Sequence, residues 1–142
     1  MKDEFESIIL TTMFRYITPF ILVYGVYILF HGEFSPGGAF QAGGLFGIAV
    51  VLDHLVQERN TTLFIPVKPA LILAGIGTFF FIFVGALSML NAGNFLEYDT
   101  LPFALSTAQK HGIGIVGIEL GIAVCVAATI IVIFDVLYRG KE

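Results

Sequence analysis

Apolar positions along this chain fall in long unbroken runs, not in the alternating or one-sided helical patterns of a half-buried domain. A helix needs about 20 consecutive apolar residues to cross the hydrocarbon core of a bilayer. Segments 8–30, 37–56, 69–90 and 112–137 meet that length. They predict an all-α polytopic membrane protein with four transmembrane helices, built as a single four-helix domain over residues 1–142. The polar connections are 31–36, 57–68 and 91–111. The first is short enough to be only a tight turn. The last is long for a compact bundle. It carries Phe95, Leu96, Tyr98, Leu101, Phe103 and Leu105, which predicts a short interfacial helix between the third and fourth spans. Asp99 and Thr100 can cap it.

Composition agrees with this reading. With 57% hydrophobic and only 13% charged residues, the 142-residue chain lacks the surface charge of a soluble domain. The acidic start, Met1 to Ser7, and the long run behind it do not match a cleavable signal. A lone cysteine, Cys125, excludes an internal disulfide and reads as a small packing residue. No Cys/His cluster has metal-ligand spacing, so no metal or cofactor is expected. A net charge of −4 without a basic stripe argues against nucleic acid as a partner.

The basic residues set the orientation. Lys2, Arg15, Arg59, Lys68, Arg139 and Lys141 share the side of the two termini, and only Lys110 lies opposite. The positive-inside rule then predicts both termini in the cytoplasm. The glycosylation pattern Asn60-Thr61-Thr62 falls on that cytoplasmic side and is discounted.

One ionisable residue changes the picture more than any other. Between Gly112 and Leu137 there are two, Glu119 and Asp135. Asp135 is near the end of the run and can reach the headgroups, where an i,i+4 surface salt bridge with Arg139 is the simplest reading. Glu119 lies far from both ends. A carboxylate at bilayer depth costs several kcal/mol, from ~3 upward, and marks ion or proton handling. Arg15, one to two turns into the first span, reads as a side chain snorkelling to the headgroups. The alternative is a counter-charge for a carboxylate on a neighbouring subunit. Pro19 should kink that first helix.

Helices in lipid associate through close packing of small residues. The second span offers Ala39, Gly43 and Gly47 at four-residue spacing. The fourth offers Gly114, Gly117, Gly121, Cys125 and Ala128. Glu119 is about 200° around the helix from Gly117. A small-residue stripe and a carboxylate on nearly opposite sides of one helix imply protein on both sides, and hence partner subunits.

The most distinctive stretch runs from Glu33 to Gly44. Ser35 suits an N-cap, Pro36 the first helical position, and Gly37 and Gly38 a positive φ or a close backbone approach. The string Pro36-Gly37-Gly38-Ala39-Phe40-Gln41-Ala42-Gly43 resembles the Pro-Gly-Gly-Gly-Phe-x-x-Gly motif of the B subunit of Mrp-type (Mnh-type) sodium/proton antiporters. Four spans, a short first turn holding the motif, and an acid before a glycine in the last span (Glu119-Leu120-Gly121) extend the resemblance along the chain. Ala39 replaces the third motif glycine, and Glu119 stands where aspartate is expected. The same resemblance covers the related subunit of membrane-bound hydrogenase and complex-I-like assemblies.

The resemblance implies a small subunit that packs against other membrane subunits of an antiporter complex, handles Na+ and H+, and is no enzyme by itself. No span contains a lysine, unlike the large pumping subunits of such complexes. The candidate ion-pathway residues are Glu119, His111, Asp53, His54, Glu33 and His31. The motif and packing residues are Pro36, Gly37, Gly38, Phe40, Gly43, Gly47, Gly117 and Gly121. His31 and Glu33 flank the outer turn, as headgroup contacts or a cation entrance. Asp53 and His54 close the second span, and point about 100° apart on a helix. They are either interfacial contacts, with Arg59 in reach, or a proton exit. His111 opens the fourth span, about 12 Å above Glu119. A purely structural bridging subunit and a stand-alone four-span exporter are the competing readings. Such exporters carry their membrane acid in the first helix, where this chain has Arg15.

Overall fold

A computed structural model describes residues 2–32, 38–57, 63 and 65–139, with side chains for 8–32, 38–56, 63 and 65–138. It contains four α-helices: α1 (Lys2–Phe30), α2 (Gly38–Gln57), α3 (Val67–Leu87) and α4 (Thr107–Arg139). Each holds a segment long and apolar enough to cross a membrane: Ile8–Phe30, Gly38–Val56, Val67–Asn91 and Thr107–Tyr138. The fourth helix starts five residues earlier than the apolar run, so His111 lies inside it. Alternating spans put the termini and the α2–α3 connection on one side, here the terminal side. The α1–α2 turn and the α3–α4 connection lie on the turn side.

The helices form a row in the order α1, α2, α4, α3, not a closed bundle. Among the described residues α3 packs on α4 alone, α2 lies between α1 and α4, and α1 reaches only the edge of α4. Glycines set each crossing. A Cβ on Gly77 of α3 would stand 2.7 Å from both the Gly121 carbonyl and the Cys125 nitrogen. A Cβ on Gly121 would meet the Gly77 carbonyl at 2.9 Å. On the other side of α4, a Cβ on Gly43 would be 2.7 Å from the Ala123 carbonyl, and one on Gly47 would be 3.1 Å from that of Ala127. Backbone therefore touches backbone on both sides of α4, as membrane helices do when small residues face each other. Gly25 of α1 rests on the Phe46 ring of α2. Thr78 of α3 adds a polar contact, its Oγ1 3.2 Å from Cys125 Sγ.

This arrangement corrects the two-sided argument from sequence. The stripe on α4 is covered inside the chain: Tyr98 lies over Gly114, Val84 over Gly117 and Gly77 over Gly121. The carboxylate side is met as well, by Gly32 and Gly38 at the ends of the α1–α2 turn. The opposed faces of α4 therefore give no argument for partner subunits. What the chain leaves open is the outer length of α1 and α3, where Phe20, Tyr24, Phe79 and Ile72 are largely exposed.

The contacts also fix the register. Gly25 meets Phe46, so Arg15, ten residues away on α1, is level with Val56 at the end of the second span. Arg15 is exposed and forms no ion pair among the described residues. That placement supports the snorkelling reading. α1 runs unbroken through Pro19. Beside it, Thr18 is buried and donates to the Phe14 carbonyl at 2.9 Å.

The α3–α4 connection does not form the expected interfacial α-helix. It folds into two single-turn 3-10 helices, Ser88–Asn91 and Tyr98–Thr100. Leu101, which follows the second of them, is 1% exposed, so it anchors the segment in the chain's own core. Thr100 Oγ1 donates to the Ser88 carbonyl at 2.9 Å and Asn91 Nδ2 to the Thr100 carbonyl at 2.8 Å. Ala92 and Leu96 take positive φ, at 60° and 68°. Such residues break a regular helix.

Two glycines two positions apart on α3 test this packing. Gly77→Ala drives a methyl into the backbone of α4, while Gly75→Ala points into open space. Overpacking of this kind typically costs about 1–3 kcal/mol. Gly77→Ala should lower the melting temperature of the detergent-solubilised protein, and Gly75→Ala should leave it unchanged. Equal melting of both variants would contradict the close crossing.

Candidate functional site

The α2–α4 crossing decides where Glu119 goes. Gly43 sits against Ala123, and Glu119 is one helical turn from Ala123 toward the turn side, on the same face. It is therefore level with the first residue of α2. There α1 has already ended: the His31 N–H donates to the Tyr27 and Ile28 carbonyls, at 3.1 and 3.2 Å, and the chain turns at Gly32. The Glu119 carboxylate lies directly against Gly32, where a Cβ would collide with its Oε1. A Cβ on Gly38 would be 3.2 Å from the same oxygen. The two glycines also approach each other, since a Cβ on Gly32 would stand 2.9 Å from the Gly38 Cα. Gly38 has φ +43°, in the left-handed region open to glycine. Both reasons proposed for glycine here, positive φ and close approach, thus operate at Gly38.

Glu119 is deep in its own helix, but its carboxyl is at the end of α1 and the start of α2. The expectation that it lies far from both ends holds only for α4. Distance along one helix cannot reveal that two neighbouring helices stop short beside it.

A second group stands on the turn side. His111 Nε2 and Asp99 Oδ1 are 2.8 Å apart, both largely exposed. Lys110 Nζ donates to the Asp99 carbonyl at 3.1 Å. Tyr98 packs its ring edge-on to His111, at 5.6 Å between centroids, and also covers Gly114. Burial pushes the Tyr98 phenol above its ordinary value, and the Glu119 charge adds to the shift. The phenol stays protonated at neutral pH and can donate a hydrogen bond. Sequence reasoning finds His111 but misses Tyr98 and Asp99 as its neighbours. The available signal is the glycine at 114, three residues beyond His111, which admits a ring.

His31 is exposed, stacked on Tyr27 with centroids 4.1 Å apart. Glu33, Ser35, Pro36 and Gly37 lie outside the described residues. Phe40 is 69% exposed, pointing away from the internal packing made by Ala39, Gly43 and Gly47 of its helix. It takes no part in the packing inside this chain.

Asp53 and His54 are on the terminal side, a full helix away from Glu119, and do not join it. They diverge as their spacing requires. Asp53 is 2% exposed and accepts the Leu63 N–H at 3.0 Å, tying the α2–α3 connection to α2. The His54 ring meets Phe134 and Tyr138 edge-on, at 5.8 and 5.5 Å. Asp135 shares a small pocket with His54 and is 4% exposed. It is buried in the chain rather than at the surface that its place near the helix end suggests. Its place on the α4 face toward α2 explains this, because Ile131, one turn earlier on that face, is buried as well. The Arg59 side of the expected contact and the Arg139 side chain lie outside the described residues. Among the described residues no group of three His, Cys, Asp or Glu side chains could hold a metal ion.

Four apolar helices in a row, each long enough to cross a bilayer, describe a multi-pass membrane protein. The chain matches the family model for the domain related to the MnhB subunit of Na+/H+ antiporters over residues 9–132. It is 31% identical over 134 residues to the Na(+)/H(+) antiporter B subunit of Alkalihalophilus pseudofirmus, covering 88% of this chain and 92% of that one. It is also 29% identical over 146 residues to the putative antiporter subunit mnhB2 of Staphylococcus aureus strain Newman, along the full length of both. The chain belongs to the MnhB-related family.

The turn has its own test. Gly38→Val places a β-branched residue at positive φ, which costs at least ~1–2 kcal/mol in backbone strain. Gly32→Ala forces Glu119 off its seat. Both variants should lower the yield of folded protein in membranes, and Gly112→Ala, which faces open space, should not. Normal yield from Gly38→Val would show that the turn tolerates side chains.

Proposed function

We propose that this chain is a small integral-membrane subunit of a multi-subunit Mrp-type sodium/proton antiporter, and that it helps form the ion pathway through Glu119. Family membership supports the assembly, and two antiporter-named relatives covering nearly the whole chain support the antiporter over a redox-linked branch. The observation that carries the role of Glu119 is its seat against Gly32 and Gly38. A carboxylate placed where two helix backbones end has peptide dipoles and water within reach, and can exchange a proton or meet a cation without crossing hydrocarbon.

In this reading both termini face the cytoplasm of a prokaryotic cell and the turn side faces outward, as the lysines and arginines direct. Na+ and H+ are the transported ions, and the partners are the other membrane subunits, docked on the open lengths of α1 and α3. His111 and His31 belong to the outward side of the path. Asp53 and His54 belong to the inward side, where a buried carboxylate and an imidazole can pass a proton. The chain performs no chemical conversion itself.

A structural reading has one observation in its favour. The same contact that seats Glu119 also holds the α1–α2 turn to α4, so the carboxyl could serve only as a clamp. Exchange separates the two. Glu119→Gln preserves shape and hydrogen bonding, so the complex should assemble on native gels. Sodium/proton exchange in membrane vesicles should fall about tenfold or more, or shift in pH dependence, as when a proton-transferring group is lost. Glu119→Asp should retain much of the activity. Full exchange across the pH range with Glu119→Gln would leave only the clamp.

Expressed alone, the chain should be unstable or aggregate, because α1 and α3 expose large aromatic and aliphatic side chains along an open row. Co-expression with the larger antiporter subunits should yield a co-purifying complex. A monodisperse monomer that transports ions in liposomes would contradict the subunit assignment.

A further inference from the structure

Toward the terminal side, side chains replace backbone contact between α2 and α4. Gly43 and Gly47 of α2 lie against the Ala123 and Ala127 carbonyls. Seven residues beyond Gly47, on the same face of α2, comes His54. Eight beyond Ala127, on the same face of α4, comes Asp135. Here the backbones cannot close on each other. They leave a small cavity lined by these two side chains and otherwise by apolar groups, among them Val51, Ile131 and Ile65 of the connection before α3.

Both polar groups are shielded from solvent. Asp135 is almost fully buried, and so is Nδ1 of His54, whose ring is boxed in by Phe134 and Tyr138. An aliphatic residue at 135 would fill the same space without the cost of burying a carboxyl, so packing alone does not account for an acid. The cavity measures about 10 Å³. One water needs roughly 10–15 Å³, so there is room for a single water and none for a hydrated cation. No third His, Cys, Asp or Glu among the described residues joins the pair in a group that could hold a metal ion. The chemistry that fits is that of a proton. Asp53, the neighbour of His54, points about 100° away and is occupied by the Leu63 N–H. The other titratable or charged groups described at this end are Tyr138 of α4, the exposed Arg15 and Tyr16 of α1, and the exposed Lys68 of α3.

We propose that His54 and Asp135 form a buried proton-holding site between α2 and α4, bridged by a single water. It rests on the ion-pathway reading and deepens it, by adding Asp135 as a carboxyl that receives the proton on the terminal side. A proton leaving the His54 imidazolium passes to the water, and the water gives one of its own to the Asp135 carboxylate. A neutral ring and a neutral acid remain, and the reverse step restores both charges. The transfer carries the proton from α2 to α4, the helix that also holds Glu119.

The test compares infrared difference spectra of the assembled complex, acidic against alkaline, for the wild type and Asp135→Asn. The amide keeps the shape of the side chain but cannot take the proton. Asp135→Asn should assemble on native gels, lose one protonated-carboxyl band, and lower sodium/proton exchange about tenfold or more. A spectrum identical to the wild type would overturn the site, and a lost band with full exchange would take Asp135 off the path. His54→Gln gives a second arm that leaves the carboxyl in place and decides the matter even where Asp135→Asn does not assemble. It should shift one protonated-carboxyl band, because the bridging water changes its partner. If no band moves, the bridge is overturned. The bands are read on protein rather than on transport, so they stand apart from the exchange assay. If Glu119→Gln exchanges normally while the Asp135 band is present, the ion-path reading fails and the proton-holding site remains.

Discussion

Contact between bare backbones on both sides of α4 is the constraint from which the rest of the structure follows. In lipid, apolar burial does not hold helices together, so the energy comes from close approach. Gly77 and Gly121 supply it toward α3, and Gly43 with Ala123 toward α2. At the α3 crossing a slide of one helical turn would place Phe81 or Leu73 where Gly77 now sits. The register is thereby fixed, and with it the height of every polar group. Glu119 reaches the α1–α2 turn because Ala123 is held at Gly43. Tyr98 and Asp99, which follow α3, reach Gly114 and His111 because Gly121 is held at Gly77.

Much of this is legible from the residues. Apolar run length locates four helices to within a few residues, because membrane-spanning segments leave little choice. Four-residue spacing of Ala39, Gly43 and Gly47 marks a packing face, and these residues do bury against the chain's own helices. Glycine at 38 announces positive φ. The family resemblance rests on the same turn, and the antiporter relatives bear it out. What stays hidden is relative height and order. No pattern in the sequence states that α4 lies between α2 and α3, so the opposed faces of α4 seem to demand partner subunits that the chain itself replaces. Distance from the helix end puts Asp135 at the surface. It is buried because its face of α4 turns toward α2. Apolar residues in the connection before α4 suggest a helix, but Leu101 serves as an anchor and the backbone turns twice before it.

The row of helices gives a simple division of labour. α4 is the spine, touched by every other helix. α2 and α3 grip it through glycine. α1 is held mainly through α2, and with α3 offers the open lengths on which neighbouring subunits can dock. Glu119 belongs to the spine, so its height against its neighbours follows from both glycine crossings. The residues around it come from the ends of the α1–α2 turn, Gly32 and Gly38, and from the connection, which Leu101 and the Tyr98–Gly114 contact hold in place.

The central claim is that Glu119 is a working carboxyl that gains and loses a proton in the assembled complex. The most direct measurement is infrared difference spectroscopy of that complex between acidic and alkaline pH, with Glu119→Gln as the reference. The account predicts a protonated-carboxyl band that grows as pH falls, shifts in deuterium oxide, and is missing from the Glu119→Gln spectrum. Identical difference spectra from the two proteins, with assembly intact in both, would show that Glu119 does not titrate and only holds the turn.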